Sequence, residues 1–151
     1  MKVLFDTSAL IPALTLSVPN HAEALDWLER AQRNEISGFI SAHALAELCA
    51  GLTGHGKQRP EDVQALIDAE IVPYLSRRLS GRLTESEYLQ VIEEALKRRF
   101  SGAILFDYIH AYAARKVSSD IILMGNQKDF NRICPNAPPA IVLLPTIPTT
   151  P

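Results

Sequence analysis

The chain has 151 residues, of which 47% are hydrophobic and 21% charged, as in an ordinary globular domain that buries roughly 70% of its unfolded surface. Its formal net charge of −2 excludes a protein held to nucleic acid by bulk charge alone, although a local basic patch is compatible with it. The two cysteines, Cys49 and Cys134, match neither a zinc spacing nor a disulfide framework, and the helical apolar pattern around Cys49 predicts a small core residue. No apolar run reaches about 18 residues and the first residues do not resemble a signal peptide, so we expect a soluble protein of the cytoplasm without a membrane segment.

The first elements in chain order are two strands separated by a helix. Residues 2–5 are β-branched and aromatic, which predicts a buried strand, and a single carboxylate, Asp6, follows it. The pattern at 20–23 predicts a capping box at the start of a helix that ends near residue 34. Residues 38–41 then predict a second, short strand.

The rest of the chain continues this alternation. A second capping-box pattern begins a strongly periodic helix, and two continuous apolar runs predict strands that are covered on both faces. In chain order the predicted elements are helices over 43–53 and 60–69, a strand at 71–72, a helix from 84 that Gly102 ends, a helix over 106–117, and strands over 121–124 and 140–144.

Strands that alternate with helices predict a single α/β domain with a mainly parallel central sheet. We place this domain at residues 1–145, because no internal repeat or linker divides the chain. Residues 146–151 are a proline-rich tail that we expect to be frayed.

Three carboxylates stand alone in stretches that otherwise lack charge. The only Asp, Glu, Lys or Arg in 3–22 is Asp6, in 36–56 it is Glu47, and in 100–114 it is Asp107. A buried carboxylate needs a hydrogen-bond partner, a cation or a metal, and these stretches hold no Lys or Arg. Carboxylates brought together repel one another unless a divalent cation holds them, so the sequence favours a hard-metal site.

The predicted positions of the three acids support convergence. Asp6 ends the first strand, at the sheet edge where α/β proteins bind ligands. Glu47 lies opposite its helix's apolar stripe, beside small residues that let another element approach, and Asp107 falls in a predicted first helical turn. Each acid also has a separate interpretation: Asp6 as a helix cap, Glu47 as a solvated helix residue and Asp107 as a partner of the helix dipole.

Four motifs resemble those of PIN-domain ribonucleases, in the same order and spacing from residue 1 to about 145. They read DTSAL at 6–10, ALAELCAGL at 44–52, FDYIHAYAA at 106–114 and NQKDF at 126–130. Within that family the chain is similar to the VapC-like toxins, which are usually encoded beside an antitoxin.

The resemblance implies a three-layer PIN-like fold, a Mg²⁺ or Mn²⁺ site, endonucleolytic cleavage of single-stranded RNA, an antitoxin partner and a homodimer. Carried over by motif, Asp6, Glu47 and Asp107 become metal ligands. Asn126 aligns with the family's fourth position and Asp129 is the alternative donor. Thr7 and Ser8 become secondary contacts, whereas Met124 stands where the family often has a threonine.

The implied chemistry is hydrolysis of a phosphodiester by a water that a divalent cation activates, with Asp107 or Asp6 as proton acceptor. RNA phosphates also need a positive path, for which Arg77, Arg78 and Arg82 are the main candidates; the clusters 97–99 and 115–116 are the others. We expect His110, one turn after Asp107, to hydrogen-bond a neighbouring carboxylate or backbone group rather than to act as a catalyst.

Two alternatives to an endoribonuclease remain. An aspartyl-phosphate phosphohydrolase also begins with a strand ending in Asp, but it needs a second Asp where this chain has Ser8. The departure at Met124 motivates the other alternative, a catalytically weak PIN-like module that binds RNA or protein. An antitoxin segment would have to use an apolar groove, whose candidate walls are the helices around residues 25–28 and 88–92.

Overall fold

The computed structural model of the protein describes residues 1–54, 58–73, 82–125, 130–134 and 140–143. In chain order its elements are β1 (Lys2–Phe5), α1 (Thr7–Ala13), α2 (His21–Gln32), β2 (Ser37–Phe39), α3 (Ala42–Gly54), α4 (Pro60–Glu70), α5 (Glu85–Lys97), α6 (Ala103–Lys116), β3 (Ile121–Met124), α7 (Phe130–Ile133) and β4 (Ala140–Leu143). The predicted tail, 146–151, lies outside the described residues.

The four described strands form one parallel sheet in the order β2-β1-β3-β4. Val3 is in register with Gly38 on one side and with Ile121 on the other, which places the first strand in the interior of the sheet. Val3, Leu4 and Phe5 are almost completely buried, as expected for a parallel strand covered on both faces. The predicted α/β fold with a parallel sheet is confirmed.

Two apolar cores cover the two faces of the sheet. Because side chains alternate along a strand, Val3 and Phe5 face one core and Leu4 faces the other. The first core contains residues of α1, α2, α3 and α4, and the second contains residues of α5, α6 and α7. The domain therefore has three layers, with the sheet between two layers of helices.

Local sequence signals explain where helices α5 and α6 begin. The predicted capping box of α5 is confirmed, since Thr84 Oγ1 accepts from the Glu87 amide at 3.3 Å and Glu87 Oε2 accepts from the Thr84 amide at 2.6 Å. Helix α6 begins at Ala103, earlier than predicted, because Gly102 adopts a φ of 66° and acts as its N-cap residue. Asp107 therefore lies beyond the first turn, and its predicted first-turn position is wrong.

Three further predictions are wrong for identifiable reasons. Ile71 does not begin a strand, because its amide donates to the Ile67 carbonyl at 3.0 Å and continues the helical pattern of α4. Asn20 precedes α2 without a side-chain cap, since its ψ of 18° is not the extended backbone that capping uses. Cys49 is exposed rather than packed in the core. Within the described ranges, no helix combines the length and apolarity needed to cross a membrane.

Candidate active site

The three isolated carboxylates meet at one cleft beyond the carboxyl ends of β1 and β3. Asp6 directly follows β1, Glu47 projects from α3 and Asp107 from α6. The cleft has a volume of about 420 Å³. It is lined by Asp6, Thr7, Ser8, Ile11, Glu47, Ala50, Gly51 and Asp107. The structure thus brings together the three acids and both hydroxyl residues that the sequence predicted, and among the described residues no Lys or Arg lines the cleft.

Asp6 is fixed by the helix that it begins. It is the N-cap residue of α1, with extended backbone (φ −78°, ψ 155°), and its Oδ2 accepts from the amide of Ser8 at 2.9 Å and from the Ser8 hydroxyl. Its own amide donates to the Leu123 carbonyl at 2.9 Å, which extends the pairing of β1 with β3. Asp6 is therefore both a cap and a cleft residue, and its second oxygen, Oδ1, lies 3.9 Å from His110 Nε2.

The close approach of β3 to α1 supports this arrangement. The Gly125 amide, just after β3, donates to Ser8 Oγ at 2.9 Å. A side chain at Gly125 would lie against the Ser8 carbonyl, so the absence of a Cβ permits the contact. Met124 is completely buried in the second core, so the residue that replaces the family's threonine does not present its side chain to the cleft. Sequence reasoning missed Gly125, although a glycine that ends a buried strand is a recognisable sign of close backbone approach.

Glu47 is held by two donors on one of its oxygens. Glu47 Oε2 lies 2.8 Å from Thr7 Oγ1, which donates to it, and 2.8 Å from His110 Nε2. The other oxygen, Oε1, lies 3.5 Å from His43 Nε2, which is long for a hydrogen bond. The predicted contact of His110 with a neighbouring carboxylate is confirmed. Helices α3 and α6 are also joined by the stacked rings of His43 and Phe106, whose centroids are 4.7 Å apart.

The charges of Glu47 and His110 stabilise one another. Burial raises the pKa of Glu47, but the hydrogen bond with His110, its charge and the hydroxyl of Thr7 outweigh burial and lower that pKa overall. Burial lowers the pKa of His110, but the hydrogen bond with Glu47 and the negative charges of Asp6, Glu47 and Asp107 raise it overall. Both directions favour an ionised Glu47 beside a protonated ring.

A buried serine that the sequence did not single out completes the contacts of His110. Ser41 is 1% exposed, and its Oγ lies 2.8 Å from His110 Nδ1. The same oxygen accepts from the Ala44 amide at 3.1 Å, which is the usual bond of a serine that caps a helix. Its place directly before α3 is therefore the only signal that could have identified it.

The structure does not place the remaining predicted site residues in the cleft lining. Asn126, Asp129, Arg77 and Arg78 are outside the described residues. Arg82 is exposed before α5 and is not among the residues that line the cleft, and its carbonyl accepts from Lys116 Nζ at 2.7 Å. Their predicted roles stay predictions.

The chemistry of the cleft fits a hard divalent cation. Its polar lining consists of carboxylates and hydroxyls, the oxygen donors that Mg²⁺ and Mn²⁺ prefer. As they stand, no three His, Cys, Asp or Glu side chains in the described part of the chain are grouped closely enough to hold a metal ion. Asp6 and Glu47 each have one oxygen bound by protein donors, so the donor set is oriented toward the cleft without forming a finished coordination shell.

Comparisons with known proteins identify the family. The family model described as PIN domain matches residues 3–134. A search of curated proteins by sequence found no significant match. Among solved structures, the chain is similar to VapBC2 from Rickettsia felis bound to a promoter DNA fragment, with a TM-score of 0.60, 19% identity and coverage of 93% of this chain and 96% of that one.

Two other solved structures have the same fold. One is the Mycobacterium tuberculosis toxin VapC20, described as cleaving the Sarcin-Ricin loop, with a TM-score of 0.60, 16% identity and coverage of 86% of this chain and 94% of that one. The other is FitAcB from Neisseria gonorrhoeae, with a TM-score of 0.60, 21% identity and coverage of 92% and 95%. Since the family model spans most of the chain and the fold agrees, this protein belongs to the PIN-domain family, with the fold of the VapC-like toxins.

Proposed function

We propose that this PIN-domain protein is a divalent-metal-dependent endoribonuclease that cleaves single-stranded RNA, and that it acts as the toxin of a toxin–antitoxin pair. The observation that carries the proposal is the convergence of Asp6, Glu47 and Asp107 on one cleft, whose lining includes no basic side chain from the described part of the chain. The similarity to a toxin that cleaves the Sarcin-Ricin loop supports the same activity.

In this proposal Asp6, Glu47 and Asp107 hold Mg²⁺ or Mn²⁺, which makes water more acidic and neutralises charge on a phosphate. The chain's own residues position the reacting groups. The Ser8 amide and hydroxyl fix Asp6, while Thr7 and His110 fix Glu47, so neither carboxylate has to be ordered during the reaction. Asp6 or Asp107 accepts the proton that the attacking water loses.

The partners in this proposal are RNA, an antitoxin protein and a second copy of the chain. RNA needs a positive path beside the acidic cleft, to which Arg77, Arg78 and Arg82 are assigned. The antitoxin and the homodimer are proposed from the resemblance to the VapC-like toxins, and the similarity to VapBC2 and FitAcB supports an antitoxin.

A binding module is the second candidate, and two observations favour it. Met124 is buried where the family often has a hydroxyl, and the described carboxylates do not form a finished metal site. Mn²⁺ separates the two functions, because a cation that binds only the folded protein at 100 times its Kd stabilises it by about 2.7 kcal/mol. A module without a metal site should gain no stability from Mn²⁺.

The test is cleavage of a labelled single-stranded RNA panel with and without Mn²⁺. Asp6→Asn is the informative variant, because asparagine caps a helix as well as aspartate does and the fold should be preserved. Asp120→Asn is the matched control, since Asp120 accepts from the Lys2 amide at 2.8 Å at the amino end of the sheet, away from the cleft.

We expect wild type and Asp120→Asn to cut RNA only with Mn²⁺, and Asp6→Asn to be slower by about 100-fold or more. Equal, metal-independent cutting by all three proteins would refute the mechanism. Mn²⁺-independent RNA binding without cleavage by wild type would instead establish the binding module.

A further inference from the structure

A buried polar chain links helix α3 to the cleft through helix α6. It consists of Ser41, His110 and Glu47, and we propose that Ser41 and His110 are positioning residues that hold the Glu47 carboxylate in a metal-binding orientation. The inference rests on the proposed function and adds to it two residues that do not line the cleft.

Hydrogen bonds and burial restrict the orientation of the side chains in this polar chain. The side chain of His110 is 1% exposed, with Nδ1 2.8 Å from Ser41 Oγ and Nε2 2.8 Å from Glu47 Oε2. Ser41 is equally buried and is tied to the backbone of α3 through the Ala44 amide. The position of the Glu47 carboxylate is therefore linked to the backbone at the start of its own helix.

When the ring of His110 is neutral, the hydrogen bonds of the three side chains all run toward Glu47. Because Ser41 Oγ accepts from the Ala44 amide, its hydroxyl can donate to His110 Nδ1, and Nε2–H then donates to Glu47 Oε2. If the ring carries a second proton, Nδ1–H donates to Ser41 and the Nε2–H bond to Glu47 is unchanged. His110 therefore donates a hydrogen bond to Glu47 in either protonation state of the ring.

The consequence for Glu47 is that one oxygen is committed to the protein. His110 and Thr7 both donate to Oε2, so rotation of the carboxylate would break two hydrogen bonds at once. Oxygen Oε1 is then the atom of Glu47 that can serve a cation. Hydrogen-bonded partners of ligating side chains have this effect in metalloproteins, where their loss costs about 10- to 100-fold in metal affinity or activity.

A purely structural histidine is a poor explanation for this position. Ile109, Ala111, Ala113 and Ala114 of α6 are buried and apolar, and an apolar side chain at residue 110 would avoid the cost of burying a polar ring. His110 also lies within 4 Å of two of the three cleft acids, Asp6 and Glu47. Its Nε2 is thus directed at the acids of the site.

The test is titration of Mn²⁺ alone into the metal-free full chain by calorimetry, with the metal-free Tm measured for each protein. Ser41→Ala removes the hydroxyl, Ser41→Thr retains it, and His110→Phe keeps a ring without nitrogens. His21→Phe is the matched control, because it removes the 2.9 Å contact of a histidine with the Pro12 carbonyl outside the cleft.

We expect Ser41→Ala and His110→Phe to bind Mn²⁺ roughly 10- to 100-fold more weakly than wild type, and Ser41→Thr and His21→Phe to bind it like wild type. If His110→Phe does not fold, the Ser41 pair still decides the matter. Wild-type Mn²⁺ affinity in Ser41→Ala would overturn the inference and leave the proposed function standing. No Mn²⁺ binding by wild type would overturn both, so the two failures are distinguishable.

Discussion

The contact between Gly125 and α1 allows a specific test of how the cleft is built. A Cβ at Gly125 would lie 2.8 Å from the Ser8 carbonyl oxygen and 3.5 Å from its carbon. The φ of Gly125 is not positive, so the position requires space rather than an unusual backbone. Ser8 cannot retreat easily, because its amide and hydroxyl are bonded to Asp6 and its Oγ accepts from Gly125.

Gly125→Ala should therefore force β3 and α1 apart. Overpacking of this kind costs about 1–3 kcal/mol, since backbone rather than a flexible side chain must move. For a chain of this size that corresponds to a fall in Tm of roughly 2–12 °C. Because Ser8 holds Asp6, we also expect Gly125→Ala to lower Mn²⁺-dependent RNA cleavage per folded molecule.

Urea unfolding followed by circular dichroism measures the stability, with Gly51→Ala as the matched control. A Cβ at Gly51 would meet the terminal carbon of Ile11, which can rotate away, and alanine favours the interior of α3 by about 1 kcal/mol over glycine. We expect the stability of Gly51→Ala to change by less than about 1 kcal/mol in either direction. The reasoning is wrong if Gly125→Ala has the wild-type urea midpoint, or if Gly51→Ala is the more damaging change.

Further predictions concern the start of α5 and the first core. The pKa of Glu87 is lowered to about 2, mainly by the hydrogen bond from Lys116, so its stabilising contribution is complete above pH 4.5 and is lost as pH falls toward 2. Thermal unfolding from pH 2 to 7 should show a weaker acid dependence in Glu87→Gln than in wild type, and parallel curves would contradict the assignment. Thr84→Ala should destabilise the protein by about 1 kcal/mol in urea unfolding, because the α5 cap is lost, and Thr84→Ser should not. Leu48→Ala, one residue beyond Glu47 but completely buried, should cost about 2–5 kcal/mol in the same assay, and a cost below that range would mean that the core collapses around the vacated space.

The sheet and the acidic cleft could be predicted from the sequence because their signals are chemical and local. Residues 2–5 and 121–124 are largely apolar runs, which predict strands that are covered on both faces. Both segments are central strands of the sheet. Asp6, Glu47 and Asp107 stand out because their surroundings lack charge, and the structure brings the three to one cleft.

Other features depend on tertiary contacts that no local pattern reveals. Ile71 is β-branched and buried, which predicts a strand, but its amide bonds to the Ile67 carbonyl and it is the C-cap residue of α4. Cys49 matches the apolar stripe of α3 by spacing, yet its side chain is exposed among the described residues. In the sequence Ser41 has the position of an ordinary helix cap. Its hydrogen bond with His110 joins residues from different helical layers, so no local pattern indicates it.

The order of the strands also determines when the cleft can first exist. Val3 pairs with Gly38 on one side, but its other edge stays open until Ile121 has been made. Gly125, which secures Ser8 and through it Asp6, is made later still. During translation the chain therefore carries all three acids before their scaffold is complete, and the cleft can take its final form only after Gly125 has been added.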